Sequence, residues 1–208
     1  MADIYSILFN RIILGEYPAG TRLKEESLAT EFNISRTPVR SVLQQLDQDG
    51  LIQIFPKKGA KVLPFSADEI EEIYEIRKSL ELLCLEISAP ILSVQKLMEF
   101  RKKLIENANN EDIQVQIGLD ANIHSYIINS TGKKRLVDML NQLFRLIQSF
   151  RGLGLMHKES KEASIKEHVD ILDALCRRDL PHAKELMKNH IENSKMIALS
   201  QLFKAKNR

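Results

Sequence analysis

Glycine and proline are concentrated near the start of this chain. Four of the 8 glycines and four of the 6 prolines lie within residues 1–65. Both residue types interrupt regular elements, so this part must consist of short elements joined by turns, whereas the rest can form long helices. A length of 208 residues is enough for two domains, each with its own core. We therefore predict one domain over residues 1–65 and another over 66–208.

Apolar spacing in the first domain predicts three helices and a hairpin. A helix over residues 4–14 ends at glycine and proline, a short second helix covers 28–32, and a third begins near Ser35. Residues 51–54 and 60–63 are β-prone and are separated by a turn, which indicates a β-hairpin. Three helices followed by such a hairpin form a winged helix-turn-helix.

The third helix carries two arginines near its start. Arg36 and Arg40 are four residues apart and share one face, and the apolar face lies at Val39, Leu43 and Leu46. No Asp or Glu follows Phe32 until after Leu46, so the local sequence is basic. A guanidinium can donate two hydrogen bonds to guanine in the major groove of DNA. We expect both arginines to contact DNA; the alternative is that they are solvated surface residues.

Hydroxyl groups and the hairpin tip extend this predicted surface. Ser35 and Thr37 can donate to phosphate or serve only as helix caps, and both interpretations stay open. Lys57 and Lys58 at the wing tip are expected to neutralise phosphates, and Gly59 would let the wing backbone approach the minor groove. The alternative is a basic hairpin that is needed only for solubility.

Helical periodicity continues through the second domain. Ser66 and Glu69 match a capping box, so a helix should begin there. Six helices are predicted, over residues 66–90, 93–108, 111–129, 134–151, 161–178 and 181–203. With no plausible strand in this part, the chain is mainly α, and the second domain is an all-α antiparallel bundle of about six helices.

The spacing of many residues in both parts resembles known regulators. In the first domain these residues are Ile13, Gly15, Pro18-Ala19-Gly20, Leu23, Leu28-Ala29, Ser35 to Arg40, Leu43, Leu46, Gly50-Leu51-Ile52, Gly59 and Val62. In the second they are Glu75-Ile76-Arg77, Leu80-Glu81, Asp120, His124, Glu167-His168, Ile171-Leu172, Ala174, Asp179, Ala183, Met187 and His190. The chain thereby resembles the GntR family of bacterial transcription regulators, in its FadR-like subfamily with an all-helical FCD effector domain.

This resemblance implies a homodimer in which each winged domain reads one half of a palindromic operator in double-stranded DNA. A small molecule in the bundle would change the affinity of the dimer for DNA. One departure concerns the second helix. Some relatives place a DNA-contacting arginine just before the Leu-Ala pair, whereas this chain has Glu26-Ser27 there. That contact is therefore not expected here.

The resemblance also implies a metal site at Asp120, His124, His168 and His190. Asp120 and His124 are one helical turn apart and project from one face, and the other two histidines lie on later helices. Three imidazoles and one carboxylate suit a divalent ion such as Zn²⁺, Ni²⁺ or Mn²⁺, with coordination positions open for a carboxylate ligand. His157 and His182 match no such position, and we expect them on the surface.

Arg77 on the first bundle helix is the candidate effector-binding residue. Its guanidinium could clamp the carboxylate of an organic acid, or could pair with Glu81 one turn later, and both interpretations stay open. A repressor that responds to such an effector is the expected function. Two alternatives are a DNA-binding dimer with a purely structural metal and a metal-dependent hydrolase. The second is disfavoured because the chain has no H-E-x-x-H sequence and no nucleophile motif.

The chain is expected to reside in the cytoplasm without a membrane partner. No apolar run approaches the roughly 20 residues of a membrane span, and the first residues lack the basic and apolar segments of an export signal.

Overall fold

A computed structural model of the chain describes residues 4–13, 15–56, 58–63, 66–155 and 158–206. The chain divides into two compact units, residues 1–69 with 202–208 and residues 70–201. Within the described ranges the elements are α1 (Ile4–Ile13), β1 (Arg22–Leu23), α2 (Glu25–Glu31), α3 (Arg36–Gln48), β2 (Ile52–Phe55), β3 (Gly59–Val62), α4 (Ala67–Ser88), α5 (Val94–Glu106), α6 (Ile113–Asn129), α7 (Lys134–Leu155), α8 (Lys158–Cys176) and α9 (Leu180–Lys206).

The first unit confirms the predicted winged helix-turn-helix. It adds the short strand β1, which the sequence analysis did not predict, so the sheet has three antiparallel strands in the order β1-β3-β2. Arg22 pairs with Lys61 and Leu23 with Ala60. A strand of two residues is too short to show alternation in the sequence, and its position is determined by pairing with β3 and by burial of Leu23.

The apolar face of α3 holds that helix in place. Val39, Leu43 and Leu46 are buried, and α3 packs on α1, α2 and β2. Burial of each leucine side chain stabilises the fold by about 1.5–3 kcal/mol. The tight turn into α3 is made by Asn33, whose φ of 52° is left-handed, a conformation that Asn tolerates better than most residues. The polar face of α3 is thereby directed outward.

Both ends of α3 have identifiable boundaries. Ser35 occupies the N-cap position, but its hydroxyl makes no capping hydrogen bond to any described residue, so the structure does not show the capping alternative for Ser35. At the other end, Gly50 adopts a φ of 75°, and the backbone N–H of Leu51 donates to the carbonyl of Leu46 at 3.0 Å. Such a left-handed glycine ends a helix at little steric cost.

The helices α4 to α9 confirm the predicted helical bundle. The capping box is present, because the N–H of Ser66 donates to Glu69 Oε2 at 2.7 Å and the N–H of Glu69 to Ser66 Oγ at 3.2 Å. Helix α7 runs through Gly152 and Gly154, beyond its predicted end at residue 151, and α8 begins three residues earlier than predicted. Glycine disfavours a helix by only about 1 kcal/mol per residue, so tertiary packing can override it.

The bundle core is built by pairwise packing of α5 on α8, α6 on α7 and on α5, and α7 on α8. None of the described helices is long and apolar enough to cross a membrane.

Candidate functional site

The outward face of α3 presents the residues that were predicted to meet DNA. Ser35, Arg36, Thr37 and Arg40 are all exposed. The arginine side chains retain 61% and 62% of their accessible surface, which leaves them available to a partner.

Both arginines pair with acidic side chains at the start of α2. Arg40 donates through Nε and Nη2 to the two carboxylate oxygens of Glu25, each at 2.8 Å. Arg36 donates from Nη2 to Glu26 Oε1 at 2.5 Å. The hydrogen bond from Arg40 lowers the pKa of Glu25, and the same contact raises the pKa of Arg40. No acidic residue lies between Phe32 and Leu46 along the chain, so these two pairings with α2 were not predicted.

The wing lies beside this face. Lys58 is exposed at the turn between β2 and β3, and Gly59 has a φ of 82°. A groove of about 550 Å³ is lined by α2, α3 and the wing, with Arg36, Arg40 and Lys58 among its residues. Lys57, also predicted to contact phosphate, lies outside the described residues.

The second unit brings together Asp120, His124, His168 and His190. All four are buried, and one ligand atom from each lies within 4.8 Å of the others. His168 Nε2 is 2.8 Å from Asp120 Oδ1 and 3.3 Å from His124 Nε2. His190 Nε2 is buried and has no hydrogen-bond partner among the described residues. Such an orphaned nitrogen in a polar cluster is costly unless a further group binds it.

Hydrogen bonds donated by the outer nitrogens orient all three imidazoles. His124 Nδ1 lies 2.5 Å from Glu81 Oε2, and His190 Nδ1 lies 2.7 Å from Glu167 Oε2. His168 Nδ1 lies 2.7 Å from the backbone carbonyl of Ser164. Carboxylate and carbonyl oxygens accept hydrogen bonds, so each Nδ1 must donate, and in a neutral ring the lone pair is then on Nε2.

The three Nε2 atoms are therefore the nitrogens that face the cluster interior. Burial lowers the pKa of His190 well below its usual value, and the neighbouring His168 and His124 lower it further. This keeps His190 neutral. Neutral imidazoles with inward lone pairs and an adjacent carboxylate have the donor set of a divalent metal site.

Arg77 lies next to this centre and is fully buried. Its Nε donates to Glu81 Oε1 at 2.5 Å, so the predicted pairing with Glu81 is present. Nη1 and Nη2 are buried and have no hydrogen-bond partner among the described residues, while the guanidinium carbon lies 5.4 Å from the centre of the Phe144 ring. Burial alone would lower the pKa of Arg77, but Glu81, Tyr74 and Asp120 together raise it above its usual value.

Glu81 links the two groups, because one carboxylate oxygen contacts Arg77 and the other contacts His124. Burial would raise the pKa of Glu81, but His124 and Arg77 together lower it to about 2. The carboxylate of Glu167 is also fixed in position, since its Oε1 accepts a hydrogen bond from Asn193 Nδ2 at 2.7 Å.

Neither glutamate was predicted to orient a histidine, and Glu81 was expected only as the alternative partner of Arg77. The available signals were their positions among the family-matched residues, with Glu81 one turn after Arg77 and Glu167 beside His168. Of the two histidines expected at the surface, His182 is exposed and His157 lies outside the described residues.

A winged helix-turn-helix followed by a helical bundle with a buried polar centre is the architecture of a two-part transcription regulator. Family models match both parts, the bacterial regulatory proteins of the gntR family over residues 1–62 and the FCD domain over residues 72–193. The chain belongs to the GntR family of bacterial transcription regulators and carries an FCD domain, which is consistent with the FadR-like subfamily.

Relatives with named roles are also regulators. The chain is 30% identical over 180 residues to the gluconate operon transcriptional repressor of Bacillus licheniformis, covering 81% of this chain and 72% of the relative. It is 27% identical over 196 residues to the transcriptional repressor RspR of Escherichia coli K12, covering 91% and 85%. The chain is therefore a transcription regulator and not an enzyme.

A solved structure shows the same fold. Escherichia coli McbR/YncC superposes with a TM-score of 0.70 at 22% identity, covering 95% of this chain and 96% of that one.

Proposed function

We propose that this chain is a repressor that binds a palindromic operator as a homodimer and responds to a small carboxylate at a metal site in its helical domain. The observation that carries the proposal is the convergence of three oriented Nε2 atoms and Asp120 beside the end of Arg77 that has no hydrogen-bond partner in the described part of the chain. The proposed domains are residues 1–65 for DNA binding and 66–208 for effector binding and dimerisation.

The donor set at this centre fits a divalent ion. Asp120, His124, His168 and His190 would hold Zn²⁺, Ni²⁺ or Mn²⁺, and the Nε2 of His190 would gain the partner that no described residue supplies. When bound, the ion supplies coordination positions that a carboxylate can occupy. The hydrogen bonds from Nδ1 keep the ligand nitrogens directed inward before any ion arrives, which reduces the cost of organising the site.

Arg77 gives this centre its preference for an organic acid. Its Nη1 and Nη2 have four N–H bonds that a carboxylate can accept from, and in a low-dielectric interior such charge-assisted hydrogen bonds are strong. Glu81 already offsets the charge of Arg77 through Nε. An acid that binds both the ion and Arg77 can change DNA affinity only as far as it favours one arrangement of the dimer over another.

The DNA-binding surface is proposed to use two kinds of contact. Arg36 and Arg40 would donate to base edges, which gives sequence preference. The remaining predicted contacts would be made to the DNA backbone and would position the protein on the duplex. These residues are Ser35, Thr37, Lys57, Lys58 and Gly59. Two copies related by a twofold axis would read the two halves of a palindrome.

The DNA part of the proposal is tested with a duplex that the purified chain selects from a randomised pool, compared with a scrambled duplex of equal composition. Arg40→Ala should weaken binding to the selected duplex far more than to the scrambled one, since a bidentate base contact is worth about 1–3 kcal/mol. Lys58→Ala should weaken both alike and flatten the dependence on salt. An unchanged specificity ratio in Arg40→Ala would refute the base contact.

The metal part is tested by His168→Ala, with the exposed His182→Ala as the matched control. We expect the first variant to lose metal, measured by native mass spectrometry, and to lose its response to small carboxylates in the DNA assay. The control should keep both properties. Full metal occupancy in His168→Ala would show that His168 is not a metal ligand. A wild-type chain that binds the metal but shows no response to any carboxylate would indicate a purely structural ion.

A further inference from the structure

The pairing of Arg40 with Glu25 differs from the other ion pair on this surface. A guanidinium has a side edge, formed by Nε and one Nη, and a terminal edge, formed by both Nη atoms. Glu25 accepts from Nε and Nη2 of Arg40, so it occupies the side edge. The terminal edge, with Nη1 and the second N–H of Nη2, lies outside this contact and belongs to a side chain that is 62% exposed.

The pairing of Arg36 with Glu26 is not bidentate. Only one guanidinium nitrogen, Nη2, donates to Glu26, and both side chains are more than half exposed, at 61% for Arg36 and 75% for Glu26. Exposed pairs with one contact order their side chains weakly, whereas bidentate arginine–carboxylate pairs with good geometry are the favourable exception. Glu25 is only 31% exposed and is anchored at the first turn of α2. It can therefore hold Arg40 in one orientation, while Glu26 cannot do the same for Arg36.

Two consequences follow for contact with DNA. Guanine presents O6 and N7 to two parallel donors, which the terminal edge of a held guanidinium can supply without further ordering. A phosphate, in contrast, is attracted by the net charge near it, and the carboxylate of Glu25 offsets the charge of Arg40. The same carboxylate thus favours the base contact and disfavours a phosphate contact.

We propose that Glu25 is a specificity-determining residue that positions Arg40 for guanine and weakens its attraction to phosphate. This inference rests on the proposed function, because it requires Arg40 to meet a base. Glu26 is assigned no such role, although it lies next to Glu25 in the sequence and carries the same charge.

The test uses the full-length chain, the selected duplex and the scrambled duplex, with binding followed by fluorescence anisotropy at several salt concentrations. Glu25→Gln should lower the ratio of selected to scrambled affinity about tenfold, within the range of one bidentate base contact. For its binding to the scrambled duplex, the slope of log affinity against log salt concentration should become steeper by about 0.9, as expected when one cation becomes free to bind phosphate.

Glu26→Gln is the matched control, since it removes one charge from the same turn of α2. It should raise affinity for both duplexes together and leave their ratio unchanged. Combining Glu25→Gln with Arg40→Ala should lower the ratio no further than Arg40→Ala alone, because the glutamate acts through that arginine.

Three results would overturn the inference while leaving the proposed function intact, provided that Arg40→Ala still loses its preference. These are an unchanged ratio in Glu25→Gln, equal ratios in the two glutamine variants, and additive losses in the combined variant. If Arg40→Ala itself keeps the wild-type ratio, the proposed base contact fails, and the role of Glu25 fails with it.

Discussion

Replacing Glu81 with glutamine should separate its two contacts in the bundle interior. Glu81 is 2% exposed and joins Arg77 Nε to His124 Nδ1, each at 2.5 Å. Glutamine has nearly the same shape but no charge, so Arg77 would remain buried without its counter-ion. Loss of one partner from a buried ion pair costs about 3–5 kcal/mol. For a chain of this size the melting temperature should fall by about 6–20 °C.

The same substitution should also weaken metal binding. A glutamine whose oxygen accepts from Arg77 turns its amide N–H toward His124 Nδ1, which must then accept. The imidazole proton moves to Nε2, the nitrogen that faces the cluster, and that nitrogen can no longer bind an ion while it is protonated. Loss of such an outer hydrogen bond lowers metal affinity about 10- to 100-fold.

Stability would be measured by thermal melting of chelator-treated protein, and Zn²⁺ affinity by competition with a chromophoric chelator. The control is Glu75→Gln on the same helix, an exposed carboxylate that pairs with Lys78 and Lys195. It should leave metal affinity unchanged. Adding Arg77→Met to Glu81→Gln should restore most of the stability, because both charges are then gone. It should also recover part of the metal affinity, because the amide oxygen is then released from Arg77 and can accept from His124 Nδ1.

A wild-type melting temperature in Glu81→Gln would refute the cost assigned to the uncompensated charge of Arg77. Wild-type Zn²⁺ affinity in that variant would refute the orienting role of Glu81 toward His124.

Two further predictions concern the wing and the effect of pH. Gly59→Ala should lower the free energy of unfolding by about 1–2 kcal/mol in urea denaturation, because φ is 82° and a Cβ would lie 3.0 Å from the carbonyl oxygen of Leu23. The control is Gly118→Ala in α6, where a Cβ meets no described atom within 4 Å, and it should raise the free energy of unfolding by about 0.5–1 kcal/mol. Equal effects of the two substitutions would contradict the strain at the wing. The metal-free protein should lose stability as pH falls below about 6.5. His190 then binds a proton in the unfolded chain, whereas burial lowers its pKa in the folded chain and keeps it unprotonated there. A second loss of stability, from Glu81, should begin below about pH 4.3 and continue towards the pKa of about 2 that Glu81 has in the folded state. A urea midpoint that is constant between pH 7 and pH 5 would contradict the effect assigned to His190.

Local patterns in the sequence were sufficient for the architecture. Helix periodicity, the capping box at Ser66 and the β-prone segments around residues 51–63 predicted the winged helix-turn-helix and the bundle, because each depends on neighbours within a few residues. Residues whose spacing is local, such as Asp120 and His124, could likewise be placed on one face. Strand β1 was missed because its two residues depend on a partner strand that is distant along the chain.

Only the tertiary structure decided which charges that are distant along the chain meet. The arginines of α3 appeared to lie in an acid-free segment, yet α2 brings Glu25 and Glu26 against them. In the bundle, Glu81 and Glu167 reach histidines 43 and 23 residues away. Electrostatic and hydrogen-bond energies depend on distance through space and on burial, and neither can be read from spacing along a chain.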